Sequence, residues 1–219
     1  MPLVSDDPEV QGAGHWQLEL GMIQQPAGSP RTWGTTLTYG LTDQTDLYVN
    51  APYTNANGSD SGSGWGDTEL GLKWRFIQYG PVSVALKPRL MLPTGDPQRG
   101  LGTGRAGAGA TLVAQWEAGQ LTLLGNAGLL YQPNGQGQRQ SLWQISTAAL
   151  YHVTDKLQLA GDAVISRNAV PRTGEPPVFL IAGIVYSPQS WLDLDIGYRH
   201  SLDDQAGPHA VMAGLTMRW

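Results

Sequence analysis

Four basic side chains fall in two pairs of i, i+2 spacing, Lys73 with Arg75 and Lys87 with Arg89. In extended backbone, residues two apart project from one face, so each pair is a strip of positive charge along one strand. Carboxylates repeat the pattern in Asp67 with Glu69 and in Asp193 with Asp195, while Glu19 and Asp162 add single acidic positions. Groups of this kind attract and orient ions and dipolar solutes, or neutralise one another. A hairpin turning at Tyr79–Pro81 sets Lys73 close to Lys87, with Arg75 and Arg89 on the same face. Like charges opposed on neighbouring strands repel, so an acidic surface must face them. Asp193 and Asp195 are the expected source, widened by Asp162 and Glu19.

Other chemistries find less support. Gly100-Leu101-Gly102-Thr103-Gly104 has the glycines of a phosphate loop, but lacks its Gly-Lys-Ser/Thr ending and strand-to-helix setting, and reads as a connecting loop. His15, His152, His200 and His209 are dispersed without metal-ligand spacing, although His200 and His209 flank one loop. Ser166 and Ser201 have no evident histidine and acid partners for nucleophilic attack. Asp6-Asp7 and Asp203-Asp204 are explained as solvated terminal and loop carboxylates as well as by divalent-cation binding. The chain has no cysteine, which removes disulfides, thiol catalysis and thiolate metal sites. No catalytic residue, metal site or cofactor is expected, and the chain is not expected to be an enzyme.

The charged strips sit on segments of period two, about a dozen in all: 14–24, 31–41, 46–53, 66–78, 82–93, 105–117, 120–131, 141–152, 155–166, 177–187, 190–200 and 209–219. Most approach the ~9–11 residues that a tilted strand needs to cross a bilayer. Their second face is apolar. Leu70, Leu72, Trp74 and Phe76 alternate with Lys73 and Arg75, and Leu192, Leu194 and Ile196 alternate with Asp193 and Asp195. Short turns near 42–45, 79–81, 117–120, 154–155 and 187–190 alternate with Gly/Pro/Asn/Ser-rich loops near 25–30, 54–65, 94–104, 132–140, 167–176 and 201–208. Five short and six long connections in strict alternation give twelve antiparallel strands with both termini on one side.

Aromatic residues mark the ends of these segments. Trp16, Tyr39, Trp74, Phe76, Trp116, Tyr151, Tyr186, Trp191 and Trp219 gather at the short-turn ends, and Trp33, Tyr53, Trp65, Tyr131, Trp143, Phe179 and Tyr198 at the long-loop ends. Two rings of aromatics with aliphatic residues between them suit the two interfaces of a membrane. Charged residues make up 14% of the chain, whereas a soluble domain carries about a quarter. No apolar run reaches the ~20 residues of a membrane helix. The expected fold is all-β: a single 12-stranded antiparallel transmembrane β-barrel over 1–219, with short periplasmic turns and longer extracellular loops. Residues 1–13 would be a periplasmic N-terminal segment. Strand number, aromatic rings and low charge argue against a soluble lipocalin-like barrel.

PLVSDDPEVQGAGHWQLELG at 2–21, TLTYGLTDQTDLYVNAPY at 36–53, GWGDTELGLKWRF at 64–76 and ALKPRLMLPTGDPQRGLGTGR at 85–105 carry a resemblance. They are similar to an outer-membrane β-barrel family named for transport in the meta-pathway of phenol degradation. The second half resembles it mainly in strand spacing and in its aromatic terminus. The resemblance implies a barrel that passes small, often aromatic or hydrophobic, compounds. It carries over no binding residue.

The expected function is an outer-membrane channel for passive diffusion or uptake of small solutes. Its lumen would have a basic wall of Lys73, Arg75, Lys87 and Arg89, with Glu19, Asp67, Glu69, Asp162, Asp193 and Asp195 as acidic counterparts. The alternative is a closed structural or adhesive barrel whose lumen is filled by ion pairs. Inward small residues (Gly107, Gly109, Thr111, Ser146, Ala148, Ala160) favour a water-filled path. LTLLGNAGLLY at 121–131 and PVFLIAGIVYS at 177–187 are apolar on both faces, which fits a partly apolar lumen or a plug packing there. Residues 1–13 lack the basic start and apolar core of a signal peptide, so Met1 is expected to precede a processed, exported form. Expected partners are outer-membrane lipid and lipopolysaccharide, the barrel-assembly machinery reading the terminal Leu215–Trp219 run, and a small-molecule solute. A charge of −5 with no basic run argues against nucleic acid. The sequence does not give the oligomeric state.

Overall fold

In the computed structural model, which describes residues 3–26, 29–56, 62–135, 137–171, 176–203 and 206–219, the alternating segments become strands of one closed sheet. They are β1 (Trp16–Gln24), β2 (Arg31–Thr42), β3 (Thr45–Asn55), β4 (Gly64–Trp65), β5 (Thr68–Tyr79), β6 (Val82–Leu92), β7 (Gly107–Ala118), β8 (Leu121–Tyr131), β9 (Ser141–Thr154), β10 (Leu157–Ser166), β11 (Val178–Gln189), β12 (Leu192–Ser201) and β13 (Ala210–Arg218). The two-residue β4 and the longer β5 both pair with β3, end to end, so the wall has twelve staves. Neighbours pair antiparallel around the ring, and β13 returns to β1, from Gln17 opposite Arg218 to Gln24 opposite Val211. Trp16 and Trp219 complete the closure by exchanging main-chain hydrogen bonds of 2.8 and 3.0 Å. The chain is therefore the expected transmembrane barrel, with two-residue periplasmic turns and long extracellular loops.

The turns are tight because the strands need no slack there. Gly80 and Gly119 take positive φ angles of 54° and 60° within two of them, a region open to glycine at no steric cost. The gap between β4 and β5 also has a local cause. Pro52 accepts a main-chain bond from Gly66 (2.8 Å) but has no N–H to return. The ladder is interrupted beside it.

Parity follows the sequence pattern on most strands. On β6, Val82, Leu90 and Leu92 face outward while Ser83 and Ala85 are buried inside. On β12, Leu194, Ile196 and Tyr198 face outward while Asp195 is buried. The aromatic rings contact one another at the interfaces: Trp16 with Tyr39 at 4.6 Å, Trp74 with Phe76 at 5.4 Å, and Tyr53 with Trp65 at 5.2 Å. Phe179 departs from the expected girdle. It shares the inward parity of buried Ile181 and pairs with buried Val164, and the Arg199 guanidinium lies 5.4 Å over its ring.

The larger departure concerns the N-terminal segment. Residues 3–11 do not lie outside the periplasmic mouth but run up into the barrel. Leu3 packs against Leu124, Ala148, Leu150 and Ala160 on the inner wall. This contact accounts for the inward Leu124 of β8. Ser5 and Pro8 are buried. The inward path returns to the wall near Gly12, whose neighbour Ala13 donates to Asp43 Oδ1 at 3.2 Å.

Candidate functional site

The polar inner wall and the inserted segment make one network. Asp162 on β10 accepts three bonds of 2.8 Å, from the Val4 and Ser5 main-chain N–H groups and from Ser5 Oγ. Asn126 on β8 makes a reciprocal pair with Asp6, accepting from its N–H at 2.8 Å and donating to its carbonyl at 3.0 Å. On the other flank, Asp46 of β3 accepts from the Gln11 N–H at 3.1 Å. These bonds fix the segment across the lumen.

Its acidic side chains then meet the basic strips. Lys73 pairs with Asp6 at 3.1 Å and Asp7 at 3.6 Å, and donates to the Glu9 carbonyl at 3.1 Å. Lys87 also pairs with Asp6, and its ammonium lies 4.8 Å over the Tyr48 ring. Arg75 pairs with Glu9 at 2.8 Å. The repulsion expected between Lys73 and Lys87 is thus relieved by a shared carboxylate. Burial opposes ionisation of Asp6, which lies on no strand, but the two lysines outweigh it and hold this carboxyl below the usual carboxylate range.

The remaining predicted residues have separate places. Arg89 lies 3.9 Å from Glu69, which accepts the Tyr48 hydroxyl at 2.7 Å, and it borders a cavity of about 210 Å³ with Asn126 and Gln144. Asp67 anchors the loop after β6, accepting from Gly95 N–H (3.0 Å), Thr103 N–H (2.8 Å) and Thr103 Oγ1 (2.9 Å). The Gly100–Gly104 stretch is therefore folded onto Asp67. Asp193 pairs with Arg218 at 2.8 Å and accepts from Ser187 at 2.6 Å. Asp195 is buried against Gly214. Among the described residues, neither lysine pairs with Asp193 or Asp195; the inserted segment stands between the two walls. Glu19 accepts from the Gln17 amide at 2.8 Å on β1.

What remains of the lumen runs beside the segment, along β13, β1, β2 and β3. A cavity of about 620 Å³ is bounded by residues 3–11 on one side and by Gln17, Thr38, Asp46 and Tyr48 on the other. A second of about 220 Å³ continues toward the extracellular loops, past Gly21, Gly34 and Gly214. The two share Glu19, Thr36, Asn50 and Thr216 as common wall. Gly21 and Gly34 would admit a Cβ without contact within 4 Å, so glycine there leaves room in the passage. Asp6, Asp7, Glu9, Asp46, Tyr48 and Arg218 border this space and were not among the residues expected from the sequence. The acidic run just ahead of β1 is the signal that could have found the first three.

A family model described as "Putative MetA-pathway of phenol degradation" matches residues 2–219. Among solved structures, an outer membrane channel from Pseudomonas putida F1 aligns at 15% identity and a TM-score of 0.75, covering 99% of this chain and 100% of that one. The NanC porin aligns at 8% identity and 0.69, covering 91% and 98%, and the KdgM porin at 5% and 0.67, covering 92% and 98%. At such identities the likeness is one of fold. The comparison with curated proteins returned no match.

Proposed function

The chain belongs to the phenol-degradation (MetA-pathway) family of barrels, and we propose that it is a passive channel of the outer membrane, admitting small solutes beside its own N-terminal segment. One observation carries this reading: two cavities beside the inserted segment share the wall residues Glu19, Thr36, Asn50 and Thr216. At this shared stretch the lining is hydroxyl, amide and carboxylate, which favours compact polar solutes. The family description points to phenol-derived compounds. For these, Tyr48 is the ring available among the described lining residues of the larger cavity.

A second reading is a closed structural barrel, favoured by the ion pairs of Lys73, Lys87 and Arg75 with the inserted segment. Planar-bilayer recording separates the two. A channel gives discrete current steps in potassium chloride, and a sealed barrel gives none.

A further inference from the structure

Resting on the channel reading above, we propose that the passage prefers cations and that Glu19 sets this preference. The basic strips, taken alone, would make an anion path. Inside the barrel their charge is already spent: Lys73 and Lys87 on Asp6, with Asp7 3.6 Å from Lys73, and Arg75 on Glu9 at 2.8 Å. Arg218, on the far side of the larger cavity, is turned to Asp193 at 2.8 Å. Of the six carboxylates that border that cavity, Asp6, Asp7, Glu9 and Glu69 are balanced by Lys73, Lys87, Arg75 and Arg89, so Glu19 and Asp46 leave its wall negative.

Glu19 holds a special place in this wall. It borders both cavities, at their common stretch, between Thr36 on β2 and Thr216 on β13. Both partners are neutral, and so is the Gln17 amide that donates to it at 2.8 Å. Among the described residues, no lysine or arginine lies within ion-pair distance of its carboxylate. A fixed negative charge at the junction of two cavities, flanked by low-dielectric walls, concentrates cations and excludes anions. The favoured solutes are therefore inorganic cations and compact organic ammonium ions.

The test uses the full chain in planar bilayers under a tenfold potassium chloride gradient. The expected zero-current potential gives a potassium-to-chloride permeability ratio above one. Glu19→Gln should lower that ratio by about fivefold, which is about 1 kcal/mol at 1.4 kcal/mol per decade, while Glu19→Asp keeps it. The difference should shrink as salt rises, because mobile ions screen the carboxylate. If Glu19→Gln fails to insert, Thr36→Lys, which sets a cation beside the carboxylate, should lower the same ratio. Current steps with an anion preference, or with a ratio unchanged in these variants, overturn the inference and leave the channel standing. An absence of steps overturns the channel reading, and this inference with it.

Discussion

Asp162 shows how one buried side chain organises the lumen. Its carboxylate accepts three of the bonds that hold Val4 and Ser5 to the wall, and Ser146 on β9 takes a fourth from Ser5 Oγ at 2.8 Å. Replacing it by alanine strands two main-chain N–H groups, each costing about 1–3 kcal/mol when buried without a partner. Asp162→Ala should therefore release residues 3–8, read as lost hydrogen-exchange protection there with the strands still protected. Asp6 adds a pH dependence whose direction is fixed. Its ionised form is favoured in place, against burial, by Lys73 and Lys87, so its contribution is complete above the ordinary carboxylate pKa and fades only below it. The segment should stay docked from neutral pH down to about pH 4 and loosen in stronger acid; loss of protection beginning near pH 6 would contradict this. Gly71 is constrained by shape alone, since a Cβ there would run into the Tyr48 ring. Gly71→Ala should cost about 1–3 kcal/mol in urea unfolding and push Tyr48 off its hydrogen bond with Glu69.

Strands repay sequence reading because a membrane wall constrains every second residue. β5, β6, β12 and β13 carry a charged or small face against an aliphatic one, and their parity could be read directly from the chain. Lipid contact makes a specific demand on the outer set. Ile184 lies midway along β11, exposed on the outer face, and Ile184→Arg should cost about 2–4 kcal/mol when unfolding is followed in lipid vesicles. The same change at inward Gly183 would meet water instead of hydrocarbon and should cost less. Where the faces are alike, parity was not legible. β8 and β11 read as apolar throughout, and Phe179 was expected among the outer aromatics although its neighbour Leu180 takes the outward place. The break between β4 and β5 escaped notice too, because it depends on what lies across from Pro52 and not on the residues of the broken stave.

For the molecule as a whole, the barrel was legible and its contents were not. Alternation and turn spacing are local properties, whereas the pairing of Asp6 with Lys73 and Lys87 joins residues far apart in the chain. Ahead of the first strand, a polar acidic segment has the same composition whether it hangs in solvent or fills a lumen. Removing residues 3–10 should enlarge single-channel conductance and, by uncovering Lys73, Arg75 and Lys87, move selectivity toward anions. Equal conductance in the two proteins would mean that the segment does not obstruct the path. The bonds between Trp16 and Trp219 bear on how this protein comes into being. They join the opening strand to the closing one, so the cylinder cannot be sealed until β13 is in place. Until then β1 and β12 remain adhesive margins that invite aggregation, and assembly should be slow, concerted and intolerant of a chain truncated by even one strand.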